Sequence, residues 1–169
     1  MVSVLPKSEY GSHTAMKALV AFFFGTLLCA AQKPADCWDS QEHILQCLQA
    51  GDADVAFTMG NRYDRGEGVD QDFKEAMKWY RLSADHGNPK AQVNIGFLYK
   101  EGKGVPQDHA EAFRWYRLAA DQGLPRGQAA VGVAYATGEG ILQDYSAAVD
   151  WCRKAAKQGD ESGQGCLGV

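Results

Sequence analysis

AQVNIGFLYKEGKGVPQDHAEAFRWYRLAADQG, residues 91–123, is one copy of a unit that recurs every 36 residues. Sliding the chain by that interval superposes Gly60, Gly96, Gly132 and Gly168, and likewise Gly66, Gly102 and Gly138. Gly68, Gly104 and Gly140 form a third series, and Gly51, Gly87, Gly123 and Gly159 a fourth. Tyr63, Tyr99 and Tyr135 keep the same register, as do Trp79, Trp115 and Trp151, Asp72, Asp108 and Asp144, and Ala76, Ala112 and Ala148. No insertion or deletion breaks the count. A period of this length marks units that bury their apolar faces by stacking on one another.

Ala91, Ile95, Leu98 and Tyr99 fall at helical spacing on one face and predict a first helix, A. Gly96 lies beside that face. A glycine inside a helix costs about 1 kcal/mol relative to alanine, and close approach of a neighbouring helix repays it. Gly102 is expected in the left-handed conformation that ends helix A, and Asp108 as the cap of a second helix, B. Ala112, Tyr116, Ala119 and Ala120, with Phe113 alongside, form the buried stripe of helix B. Asn88 followed by Pro89 restarts helix A at once. The expected fold is all-α: antiparallel helix pairs stacked into a right-handed α-solenoid.

The boundaries follow from the count. Residues 52–87, 88–123 and 124–159 are three repeats, and 160–169 begin a fourth. Residues 32–51 read as an N-terminal cap helix, with Asp36 in register with the capping aspartates. Residues 1–31 form a leader. Its core, 16–31, places Lys17 before an apolar run and small residues after it, the form of a cleaved secretory signal. Cleavage before Gln32 is expected, with Met1 or Met16 as the start. The run is too short to span a bilayer comfortably, so no stable membrane span is expected after cleavage. The exported product is expected to be periplasmic or secreted.

The unit, with its Gly-x-Gly-Val-x-x-Asp loop, resembles the Sel-one-like repeat (SLR) family, relatives of the tetratricopeptide repeats, over about residues 52–169. The resemblance implies a scaffold that binds a protein or peptide. It also implies two alternatives. One is a weak hydrolase or binder of cell-wall-related or β-lactam compounds; the other is a regulator of a membrane-associated signalling or assembly system. Cysteine-rich members of that family carry a regular cysteine pair, which the internal repeats here lack.

Export gives the cysteines meaning. Cys152 stands where other repeats carry Tyr80 and Tyr116, and Cys166 where they carry Asn94 and Ala130. They lie seven residues on either side of Gly159, the turn between helix B and the next helix A. Positions equidistant from such a turn face each other, so a disulfide is expected; two buried thiols are the alternative. The family resemblance, with its cross-helix disulfides, points the same way. Cys37 and Cys47 would lie about 15 Å apart within one continuous helix, too far for a bond. They pair only if the helix starts later, at Ser40.

The 169-residue chain carries 17 Lys and Arg against 21 Asp and Glu, a net charge of −4. With no basic run, it makes no electrostatic case for nucleic acid. Neither a Ser-x-x-Lys nor a Gly-x-Ser-x-Gly nucleophile motif occurs, and there is no phosphate loop. His43 and Cys47 have ligand spacing near Cys37, Asp39 and Glu42, but no second pair accompanies them. No catalytic residue, cofactor or metal is therefore expected. The variable positions of helix A remain as a groove for a protein or peptide partner: Thr58, Asn94 and Ala130, and Asn61, Phe97 and Val133. Packing against the next helix is the plainer use of the same positions.

Overall fold

The computed structural model of the protein describes residues 47, 52–159 and 161–166. The expected leader, signal, cleavage point, Cys37 and all of the cap helix except Cys47 lie outside the described residues. The chain divides into two units, residues 1–50 and 51–169. In the first, Cys47 is helical, buried and disulfide-bonded. The second unit holds six helices in pairs and a short one. They are α1 (Ala53–Arg65), α2 (Phe73–Asp85), α3 (Pro89–Glu101), α4 (His109–Asp121), α5 (Pro125–Thr137), α6 (Tyr145–Ala156) and α7 (Glu161–Cys166). No strand occurs among the described residues. Odd-numbered helices are the A helices and α2, α4 and α6 the B helices. Each helix packs on the next in sequence, and α5 also meets α7, giving a helical-repeat solenoid.

The helix ends obey their capping chemistry. The Asp72 and Asp108 carboxylates each accept from two backbone amides of the following turn, at 2.8–3.1 Å, and Asp144 from one. Leu124 offers no side-chain cap, and Pro125 alone marks that start. Gly66, Gly102 and Gly138 close the A helices with φ of 73°, 67° and 77°. Each loop is then braced twice. The capping aspartate's amide donates to a carbonyl in the last turn of helix A, at Tyr63, Tyr99 and Tyr135. The side-chain amides of Gln71, Gln107 and Gln143 donate to Asp64, Lys100 and Ala136 carbonyls at 2.7–2.8 Å.

Two cores fill the stack. Met77, Tyr80 and Ala84 of α2 bury against Ala91, Ile95 and Leu98 of α3, with Trp115 packed at the edge. Ala112, Tyr116 and Ala119 of α4 bury against Val93 and Val131, with Trp151 at the edge. Fully buried side chains such as Ile95 and Leu98 contribute about 1.5–3 kcal/mol each. Trp115 and Trp151 thus serve packing. Of the repeated arginines, Arg81 donates to the Tyr99 hydroxyl at 2.6 Å. Arg117 stacks over the Trp151 ring and pairs with Asp121, while Arg153 approaches Asp150. They are engaged within the stack.

Cys152 and Cys166 are joined by a disulfide, with Cα atoms 5.5 Å apart, tying α6 to α7. Closing a loop of this size contributes roughly 3 kcal/mol in the chain-entropy account. Both sulfurs lie over Gly132, where an added Cβ would come within 2.5 Å of Cys152 Sγ.

Neighbouring repeats meet through the second loop glycine. A Cβ on Gly140 would stand 2.0 Å from the His109 carbonyl oxygen, and one on Gly104 2.6 Å from the Phe73 carbonyl carbon. Gly87 also has positive φ, 84°, but open space around it. Gly87→Ala is therefore expected to cost only the left-handed strain, about 1–2 kcal/mol. Gly140→Ala adds a backbone collision and is expected to cost more than about 3 kcal/mol. Urea denaturation midpoints of the two variants compare them directly.

Candidate functional site on the helix A face

The positions singled out on helix A divide between two cavities. Asn61, Asn94 and Phe97 line the first, of about 440 Å³, together with Asp64, Arg65, Lys90 and Arg126 and an apolar floor that includes Phe57 and Val93. Ala130 and Val133 line the second, of about 220 Å³, with Lys100, His109, Phe113, Tyr116 and Glu139. Thr58 lines neither; its hydroxyl donates to the Asp54 carbonyl one turn back, at 2.8 Å.

Polar order in the first cavity is set by Tyr80. Its ring lies on Gly60, and its hydroxyl reaches Asn61 Oδ1 at 2.9 Å and Asp64 Oδ2 at 3.1 Å. Asn94 Nδ2 donates to the same Asn61 oxygen, at 3.2 Å. Asn61 Nδ2 and Asn94 Oδ1 have no hydrogen-bond partner among the described residues. One donor on α1 and one acceptor on α3 are therefore left among the residues that line this cavity. Phe97 is 38% exposed beside them, an open aromatic surface rather than a core side chain. Lys90 and Arg126, both exposed, put positive charge on the rim.

The second cavity repeats this geometry with other residues. Tyr116 lies on Gly96 as Tyr80 does on Gly60. Where Tyr80 finds Asn61 and Asp64, however, the equivalent positions are Phe97 and Lys100. The Tyr116 hydroxyl has no hydrogen-bond partner among the described residues, although the residue is only 8% exposed. Lys100 Nζ is paired with Glu139 Oε2 at 3.1 Å.

Sequence reasoning missed Lys90, Arg126, Lys100, Glu139 and His109 as lining residues. For Lys90 and Arg126 the signal was available in the helix A series Asp54, Lys90 and Arg126, where the charge changes sign between repeats. Among the described residues no group of three or more His, Cys, Asp or Glu could hold a metal ion. No described helix is long and apolar enough to cross a membrane.

A stack of antiparallel helix pairs with an open helix A face defines the chain as a helical-repeat protein. The Sel1 repeat model matches residues 53–88, 89–124 and 125–160. The chain belongs to the Sel1 repeat family, whose members typically serve as protein–protein interaction scaffolds. Similar solved structures include a protective antigen present in uropathogenic Escherichia coli strains that displays an SLR fold. It is 43% identical with a TM-score of 0.67, over 70% of this chain and 26% of the antigen. The chain thus spans about a quarter of the antigen's length. A Sel1 repeat protein from Oxalobacter formigenes is 36% identical with a TM-score of 0.67, over 73% of this chain and 93% of its own. Helicobacter pylori cysteine rich protein B shares the fold at 15% identity and a TM-score of 0.55, over 92% of this chain and 98% of its own. A comparison with curated proteins gives no match.

Burial raises the pKa of both Tyr80 and Tyr116 well above the ordinary tyrosine value, and the nearby Asp64 carboxylate adds to the shift at Tyr80. The unfolded chain releases these protons near pH 10, while the folded chain keeps them. Stability is then full below about pH 10 and falls as pH rises above it. The urea midpoint is expected to decline above about pH 10, and less steeply in Tyr116→Phe, as denaturation across an alkaline series will show.

Proposed function

We propose that this protein is an exported, non-catalytic scaffold that holds a segment of a protein or peptide partner in a groove on its helix A face. The observation that carries this reading is the first cavity. Asn61 Nδ2 and Asn94 Oδ1 form the complementary pair that a peptide group requires, above an apolar floor and beside the exposed Phe97. An extended segment bonds through its backbone to such a pair and places alternate side chains on the apolar surface. Nothing in the cavity activates a nucleophile. The positive rim at Lys90 and Arg126 favours segments with acidic residues nearby, through longer-range attraction that salt weakens.

Peptides selected from a random displayed library against the full chain provide the test. Asn94→Arg with Phe97→Glu is expected to weaken the selected peptides at least about 100-fold, since it removes the hydrogen-bonding amide and places charge on the apolar surface. Equal titration heats for wild type and variant would sink the groove.

Export is supported by the apolar segment after Lys17 and by the Cys152–Cys166 disulfide, which persists in oxidising compartments. The bacterial SLR relatives are consistent with it. Intact-mass measurement of the exported product is expected to find a chain beginning at Gln32 with no thiol open to alkylation. A product retaining the leader with all five cysteines alkylatable contradicts this reading.

A further inference from the structure

The junction between repeats 1 and 2 carries an ordered set of side chains beside its own cavity of about 440 Å³. Lys103 Nζ lies 5.3 Å from the Phe73 ring centre and 5.1 Å from that of Phe97, an aromatic–cation–aromatic sandwich. Asn94 adds its bond to Asn61, and the Tyr80 hydroxyl finds Asn61 and Asp64. Shifted by one repeat, every one of these residues changes except the tyrosine. Phe73, Phe97 and Lys103 become His109, Val133 and Glu139, Asn94 becomes Ala130, and Asn61 and Asp64 become Phe97 and Lys100. The Phe73, Lys103 and Phe97 cluster has no counterpart here, and a cavity of about 220 Å³ lies among these positions. Tyr116 remains, with its ring against Gly96 and its hydroxyl unpartnered among the described residues. Among the described residues no side-chain oxygen or nitrogen sealed from solvent lacks a partner, so this oxygen keeps open surface.

We propose that this cavity is a pocket for one phenolic side chain, a tyrosine of the bound partner segment, with the Tyr116 hydroxyl as its hydrogen-bonding contact. The volume is below the roughly 300 Å³ at which pockets for drug-sized ligands begin, so it takes a single side chain. Phe113, Val133, Ala112 and Ala130 supply walls for a ring. The rim cation Lys100 is already neutralised by Glu139, so an ionised tip would have to break that pair. A phenol has one hydroxyl that accepts from Tyr116 and needs no charge. An amide tip would bring two N–H donors against the Ala112, Phe113, Ala130 and Val133 walls, where a phenol brings one.

The identity of the ligand's source rests on the partner-segment reading above; the pocket itself does not. The test uses the full processed chain and two size-matched probes, p-cresol and toluene, followed by amide NMR shifts. Saturable p-cresol binding at about millimolar strength is expected, with toluene about five- to ten-fold weaker. That preference is expected to vanish in Tyr116→Phe. Ala130→Asn with Val133→Phe, which puts larger side chains at two positions lining the cavity, is expected to bind neither probe. No saturable p-cresol binding, equal binding of both probes to wild type, or binding that survives the filled cavity would each overturn the pocket. Asn94→Arg alone, which alters the first cavity at a position lining no part of the second, is expected to keep p-cresol while weakening the selected peptides, so failure of the groove is seen separately from failure of the pocket. Among groove-selected peptides, one tyrosine replaced by phenylalanine is expected to lose five- to ten-fold on wild type and nothing on Tyr116→Phe. A selected set without tyrosine would overturn the source.

Discussion

A tyrosine ring lying on a glycine is the contact on which the stack depends. In repeat 1 a Cβ on Gly60 would come within 2.4 Å of Tyr80, and in repeat 2 one on Gly96 within 2.6 Å of Tyr116. The glycine forfeits about 1 kcal/mol of helix propensity, and the buried aromatic ring more than offsets it. Because the ring takes the space of the missing side chain, helix B approaches helix A at one fixed register. The third repeat solves the same problem differently. Cys152 replaces the tyrosine, and its disulfide to Cys166 fills the space over Gly132. A covalent bond between α6 and α7 replaces the packing of a ring.

Fixing the ring also fixes where its hydroxyl ends. That oxygen arrives beside the variable residues of its own repeat's helix A and near those of the next helix A in the stack. The repeat therefore separates two tasks: the invariant residues hold the frame, and the variable ones decide what surrounds one buried phenol. With Asn61 and Asp64 the hydroxyl is consumed by the protein, and the neighbouring amides are ordered as a consequence. With Phe97 and Lys100 it is left for something else, while the lysine turns to Glu139. Two repeats of one architecture so present two cavities of different size and lining.

Much of this frame is legible in the residues. The capping aspartates, the left-handed glycines and the stripe of Ala112, Tyr116, Ala119 and Ala120 follow from local rules that act within a few residues. Thr58 illustrates the limit. Its helical position matches Asn94 and Ala130, yet its hydroxyl turns back onto Asp54, a local bond that spacing does not reveal. Gln71, Gln107 and Gln143 show a signal that was present and passed over. They recur at the repeat interval just before the capping aspartates, and each braces its loop.

The sequence by itself determined the period, the helix pairs, their caps and the family, because each of these is a local preference multiplied by repetition. It also placed Cys152 and Cys166 opposite one another, since an antiparallel turn fixes which positions meet. Only the tertiary structure decided which variable residues share a cavity and which side chains remain unpartnered. Those outcomes depend on groups about one repeat apart converging in space: Asn61 with Asn94, Lys100 with Glu139, and Tyr116 with the void beside Val133. A cavity is the volume that several side chains fail to fill together, and no single position in the chain encodes it.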